Sequence, residues 1–432
     1  MTSISQVDPV VRRRIESYAA YILSASKPVG ERRIGIEFEA IGYRKRDLRR
    51  IDAPLVQRVM EWFARESTAV EHEGETITAV STPRGDISSE PGGQIEFSSR
   101  PKLRIAEIEA DLKWFLQLLC AVTEREQLIF LSCGFDPLGG REEQYWIPKQ
   151  RYAILRPFLE MRGQRGVDMM TRTGAAQVSL DYTGEADLCK LYLLGNRMAP
   201  FVGAMFANSP YEEGRISGCQ STRNRVWLRT DDARCGVAAV ALRRPFRLAA
   251  LIEAVLEVPT IMVRRDHGLV ATHGKLLAEI EDQRFDDFLM LLSTVFTTAR
   301  LRTYIEMRGA DAGDPGDALA LAAFWKGIAY DTTACDTALE MLPALDCEGY
   351  AQLSEAAATE GLAGHARGVR VLPLAREFLQ LAREGLARTA PDECSYLATL
   401  ECRMADCMTP ASLLLRNCGD NIASAVRALR IV

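Results

Sequence analysis

The sequence predicts an α+β or mixed α/β protein built on a half-exposed antiparallel sheet, and three observations carry that expectation. Segments such as IGIEFEAIGY alternate apolar and polar residues, the period-2 pattern of a strand with one buried and one wetted face. Amphipathic helical patterns are interleaved with these strands. From residue 331 onward strand signals vanish, and VLPLAREFLQLAREGLAR and ASLLLRNCGDNIASAVRALRIV read as helices with one apolar stripe.

In chain order, residues 9–25 read as an amphipathic helix, with Val10, Val11, Ile15, Tyr18, Ala19 and Ile22 at helical spacing. A polar break from Ser26 to Glu31 leads into the strand IGIEFEAIGY. A long apolar helix follows at about 103–127, then the short strand LIFLSCGF and a helix at about 151–162. At 432 residues the chain exceeds the usual size of one core, and it divides into a core of residues 1–330 and a C-terminal helical region, 331–432, packed on it. No solenoid-length repeat and no low-complexity tract interrupts this plan.

With 47% hydrophobic and 26% charged residues, the composition is that of a globular protein and excludes disorder. A net charge of -5, from 53 basic and 58 acidic residues mixed along the chain, leaves no basic stripe for a nucleic-acid backbone. The N-terminus MTSISQVDPVVRRRIESYAAYILSA has no apolar leader, and no run of about 20 apolar residues occurs, so the expectation is a cytoplasmic protein with no membrane partner. Eleven cysteines without CxxC pairs or zinc-spaced histidines argue against a disulfide framework and against zinc, most reading as small buried hydrophobes. Cys402 and Cys407, five residues apart, do not share a helix face well.

The residues that could carry chemistry sit on the polar faces of strands. Residues i and i+2 of a strand project together, so Glu37 and Glu39 share a face. Two carboxylates that close repel, which leaves two readings: a solvated edge, or a hard oxygen-liganded metal such as Mg²⁺. In EPGGQIEFSS a turn delivers Gln94, Glu96 and Ser98 to one face, with Glu90 ahead of it. In LRTYIEMRGAD the i, i+2 pair is Glu306 and Arg308, either a salt bridge or a metal ligand beside a phosphate clamp. Gln177, Ser179 and Asp181 repeat the alternation after Arg172 and Thr173. Four oxygen-rich strand faces in one chain favour a shared polar cavity. Neither GxxxxGK[ST] nor GxGxxG between a strand and a helix occurs, and the four histidines lie near no nucleophile motif, which disfavours P-loop, dinucleotide and triad chemistry.

The segments RIGIEFEAIGY, EPGGQIEFSS, PKQRYAIL, GVDMMTRTGAAQVSLDY, FANSPYEEG, RVWLRTDDARCG, RLRTYIEMRGAD and FWKGIAYD, in that order, resemble the plant-type and proteobacterial branch of glutamate-cysteine ligase, of the glutamine synthetase-like superfamily. The resemblance implies a curved antiparallel sheet forming a funnel-shaped active site, flanked by helices, with ATP and Mg²⁺ inside. By motif position Glu37, Glu39, Glu96 and Glu306 correspond to metal-binding carboxylates, and Glu90 and Gln177 to further metal or polar contacts, Gln177 toward the nucleotide. Arg308 falls where the family places a catalytic arginine toward the phosphoryl group, and Arg172, Arg223 and Arg234 fall in segments that resemble its substrate-binding region. The implied reaction joins L-glutamate to L-cysteine through γ-glutamyl phosphate, with ADP and phosphate released, as in glutathione biosynthesis, by a monomer or homodimer. After Asp311 the family pattern of a Gly-Pro-Trp-Arg-Arg-like stretch is replaced by AGDPGDALALAAFW, and Ser179 stands where many members have Asn. These departures keep an amine other than cysteine open, and a catalytically silent relative is the third reading.

Overall fold

The computed structural model describes residues 9–243 and 245–432. Helix α1 (Pro9–Leu23) buries Ile15, Tyr18 and Ile22, whereas Val10, read as part of the apolar stripe, is 57% exposed. The stripe is fully buried only from Ile15 onward, with Val11 partly buried against the core. The strands that build the sheet are β1 (Ile34–Arg44), β2 (Ala69–Glu73), β3 (Thr76–Ser81), β4 (Gly85–Ser89), β5 (Ile95–Ser99), β6 (Leu128–Leu131), β7 (Ala175–Leu180), β8 (Ala299–Leu301) and β9 (Ile305–Asp311). They pair antiparallel in the order β8-β9-β7-β1-β5-β4-β3-β2, with β6 alongside the far end of β1. The sheet is open rather than closed into a barrel.

Strand β1 is the axis of this arrangement, because its two faces do different work. Ile36, Phe38 and Ala40 point into the main core. The opposite face carries Glu37 and Glu39, then changes character at Ile41 and Tyr43, which join Ile129, Leu131, Leu414, Val426 and Leu429 in a second apolar cluster. The last residues of the chain thus seal one end of the face that holds the glutamates, and Leu131 bridges to Arg430 there. The expected half-exposed sheet is corrected on this point: β1, β7 and β9 are mostly buried on both faces, since their polar face lines a cavity rather than bulk water.

Behind the main-core face lies the helix Pro315–Ala329, which is buried on nearly every side. An all-round apolar helix of this kind has no solvent face to offer. The helix Val371–Thr389 packs against it, and the two meet at Gly327 and Gly385. A Cβ at Gly385 would fall on the carbonyl oxygen of Gly327. Gly385→Ala is therefore expected to cost about 1–3 kcal/mol or more through overpacking. Urea unfolding measures it, and an unchanged midpoint would show that the helices can separate freely.

The cysteines depart from their expected burial. Cys133, Cys189, Cys219 and Cys335 are buried, but Cys120, Cys347, Cys402 and Cys407 are exposed, and all eleven are free thiols. Cys120, Cys347 and Cys402 lie on helices and Cys407 in the turn that follows Ala398–Ala405. No helix among the described residues is long and apolar enough to cross a membrane.

Candidate active site

Register brings the separate motifs together. Across β1 and β5, Glu39 faces Glu96 and Glu37 faces Ser98. On the other flank Gln177 of β7 faces Glu37, while Glu306 of β9 faces Ser179 of β7 and Arg300 of β8. The turn between β4 and β5 is closed by hydrogen bonds from Glu90 N to Gln94 O and from Gly93 N to Glu90 O, with Gly93 in the left-handed region at φ 78°. The Gln94 side chain accepts from Gly92 N and donates to the carbonyls of Met170 and Thr173, so it pins the turn. Ser98 Oγ donates to Glu96 Oε1 at 2.9 Å.

Arg308 is aimed by an irregularity in β9. The pairing with β7 shifts register between Met307 and Ala310, and Arg308 N donates instead to Thr298 O at 3.0 Å. A bulge of this kind redirects a side chain. Its guanidinium donates to Gln177 Oε1 at 2.6 Å, pairs with Glu306 Oε1 and lies over the Trp227 ring. The other Glu306 oxygen takes both Arg300 Nε and Arg300 Nη2, at 3.1 and 2.6 Å. Burial alone would raise the Glu306 pKa, but Arg300 and Arg308 bring it down to about 2.

These residues surround a cavity of about 470 Å³. Its lining brings Glu37, Glu39, Glu90 and Glu96 together with Arg151, Arg300, Arg302 and Arg308, and Leu155, Met169, Trp227 and Phe296 contribute apolar surface. Burial, reinforced by neighbouring carboxylates, raises the Glu37 pKa to about 7 and the Glu39 pKa to about 8, and pushes Glu96 well above its ordinary value. A cation among them would reverse this logic by favouring the ionised forms.

The donor set is all oxygen, which fits a hard divalent ion. Among the described residues no three His, Cys, Asp or Glu side chains converge closely enough to hold a metal unaided. That geometry suits Mg²⁺, which keeps waters and takes one or two carboxylates plus substrate phosphates. The folded pKa values of Glu37 and Glu39 lie above the ordinary value of 4.5, so the folded state binds more protons in that range and metal-free stability falls as pH rises from about 4.5 through 8. Saturating Mg²⁺ should flatten that decline. Thermal unfolding across pH with EDTA or Mg²⁺ measures it, and identical slopes would contradict a cation at these carboxylates.

Of the expected site residues, Glu37, Glu39, Glu90, Glu96, Gln177 and Arg308 line the cavity, and Glu306 stands behind it, engaged by two arginines. The three expected substrate arginines do not line it. Arg172 is 1% exposed, ion-paired with Asp168 at 3.1 Å and laid over the Phe135 ring. Arg234 is consumed by Asp231 and the carbonyls of Thr294 and Pro259. Both are expected as substrate contacts; in this structure they are ion-paired with Asp168 and Asp231, and Nε and Nη2 of Arg172 are buried without a hydrogen-bond partner. Arg223 donates from Nη2 to the Arg308 carbonyl, and its neighbour Asn224 donates to the Gly309 carbonyl, so this short helix secures the bulge from behind.

The segment after Asp311, expected to affect substrate recognition, lies elsewhere: Asp314 caps the helix Pro315–Ala329, Asp317 pairs with Arg403, and neither reaches the cavity. Conversely, Arg151, Arg300 and Arg302 were not anticipated. The hairpin RLRTYIEMR offered a signal, since a tight turn puts Arg300 directly opposite Glu306.

A family model described as glutamate-cysteine ligase family 2 matches residues 33–428. The chain belongs to that family. It is accordingly a carbon–nitrogen ligase. The chloroplastic glutamate–cysteine ligase of Nicotiana tabacum is 32% identical over 414 residues, 93% of this chain and 79% of the relative. That of Arabidopsis thaliana is 31% identical over 427 residues, 96% and 81% respectively. Among solved structures, a glutamate–cysteine ligase from Francisella tularensis in complex with AMP superposes with a TM-score of 0.60 at 12% identity, covering 94% of this chain and 88% of that one, which speaks to fold. The cytoplasmic expectation is overturned here, because these family-2 relatives carry the name chloroplastic. That expectation draws on an N-terminal stretch whose residues 1–8 lie outside the described residues, and an apolar leader bears only on a secretory route.

Proposed function

We propose that this ligase uses ATP and Mg²⁺ to convert the γ-carboxylate of L-glutamate to γ-glutamyl phosphate and passes the acyl group to an amine, with L-cysteine giving γ-glutamylcysteine. One observation carries the reading: four carboxylates and four arginines line a single cavity. A carboxylate approaching a triphosphate is repelled, and preorganised cations are what such a transfer needs.

Glu37, Glu39, Glu90 and Glu96 are the carboxylates among which Mg²⁺ would find one or two ligands, and when bound it would neutralise charge on phosphate oxygens. Arg308, steadied by Gln177 and Glu306, supplies a guanidinium toward the transferring phosphoryl group, and Arg300 a second. Glu306 acts through these arginines by fixing their direction. Trp227 and Phe296 keep water from the acyl phosphate on the apolar side.

The test is ADP release by the purified chain with Mg²⁺, ATP and L-glutamate, alone and with a panel of amines. Turnover requiring glutamate and an amine supports the reading. No turnover with any acceptor would sink it.

A further inference from the structure

The turn between β4 and β5 carries Glu90 and sets the start of β5, which carries Glu96; its inner side is pinned by Gln94. Its outer side is held by a buried arginine that the proposed chemistry does not use. Arg50 donates from Nη2 to Gly92 O at 2.6 Å, within this turn, and from Nη1 to Asp136 Oδ2 at 3.0 Å, with Thr171 O at 3.5 Å. One guanidinium thereby joins the turn to the helix Gly166–Arg172, whose Met169 and Met170 line the charged cavity. Turn and helix lie close together, since a Cβ at Gly92 would fall 2.3 Å from Thr171 O.

Asp136, wholly buried, fixes the arginine. Besides Arg50 it accepts from Tyr43 Oη, Gln144 Nε2 and the backbone N–H groups of Leu138 and Gly139, which leaves the carboxylate one orientation. A buried ion pair is weak evidence for stability, because desolvation offsets its attraction. What this pair sets is the place of the Gly92 carbonyl. Neither Arg50 nor Asp136 lines the charged cavity, so any influence on it passes through the turn.

We propose that Arg50, oriented by Asp136, is a positioning residue for the metal carboxylates: its bond to Gly92 O holds the turn so that Glu90 and Glu96 stand beside Glu37 and Glu39, where a divalent cation finds its ligands. This rests on the Mg²⁺ part of the reading above.

The test uses the full chain with Mn²⁺ as a paramagnetic stand-in for Mg²⁺, its binding without nucleotide read by electron paramagnetic resonance. ADP release against Mg²⁺ concentration is measured beside it. Arg50→Gln and Arg50→Lys should each weaken Mn²⁺ binding by about tenfold or more, as loss of an outer-shell partner does, and Asp136→Asn should shift it the same way. The sign separates position from charge. Loss of a positive charge would by Coulomb attraction alone tighten cation binding, so weaker binding in Arg50→Gln reports a displaced turn. Arg50 also lines an outer cavity of about 460 Å³, so a shorter side chain leaves polar space that water can fill, and circular dichroism should match the parent. Should Arg50→Gln fail to fold, Arg50→Lys carries the test. Arg49→Gln, which removes an exposed guanidinium from the same outer cavity, should not weaken Mn²⁺ binding. Folded Arg50 variants with the parent's Mn²⁺ affinity would overturn the inference, as would equal weakening in Arg49→Gln. A parent that binds no Mn²⁺ would remove the Mg²⁺ reading with it. A parent that binds Mn²⁺ but turns over no acceptor would sink the ligase reading and leave the positioning role in place.

Discussion

Arg308→Ala is expected to lower kcat by about 10²–10³ while the protein remains folded, the loss typical of removing one preorganised donor from a developing anion. The reason lies in how much structure is devoted to aiming that side chain. The register shift in β9 turns it out of the ladder, Gln177 and Glu306 hold its guanidinium, and Arg223 and Asn224 grip the backbone of the bulge. Arg308→Lys should recover little, because an ammonium cannot replace the planar fork between Gln177 and Glu306. Steady-state ADP release measures both variants. Activity within about threefold of the parent for Arg308→Ala would place the phosphoryl group elsewhere.

Glu96→Gln is expected to raise the Mg²⁺ concentration for half-maximal activity by about 10–100-fold or more, with at least the effect of losing an outer-shell partner. Its stability should not fall. Burial and the charges of Glu37, Glu90 and Glu39 already disfavour ionised Glu96, so removing that charge relieves repulsion in the metal-free protein. A variant inactive only because it unfolds would contradict this, as would an unaltered Mg²⁺ requirement. Glu306→Gln should also remove most activity, but through Arg300 and Arg308, so its Mg²⁺ dependence should change less than that of Glu96→Gln.

The parts of this site readable from sequence were the local ones. Strand alternation alone puts Glu37 beside Glu39 and Glu96 beside Ser98, because the side-chain period of a strand is 2. That Glu39 faces Glu96 required the register of strands 57 residues apart in sequence, which no local pattern encodes. The same limit explains the arginines. Arg172 and Arg234 look available as sequence letters, yet Asp168 and Asp231 claim them once the chain is packed. Arg151 carries no local distinction, and only tertiary placement turns it to the cavity, whereas the tight hairpin pairing Arg300 with Glu306 is local. The helices at 105–126 and 150–160 were legible from apolar spacing to within a few residues, whereas the sheet's buried polar face read as solvent-exposed, because alternation records polarity and not what the polar side meets.

In the proposed reaction the glutamate γ-carboxylate itself attacks the γ-phosphorus of ATP. Glutamate carrying ¹⁸O in both γ-carboxylate oxygens tests it most directly, with mass analysis of the phosphate released during amide formation. Transfer of one ¹⁸O atom to each phosphate is the predicted result; phosphate free of ¹⁸O, with amide formed at the same rate, would contradict an acyl phosphate in this cavity.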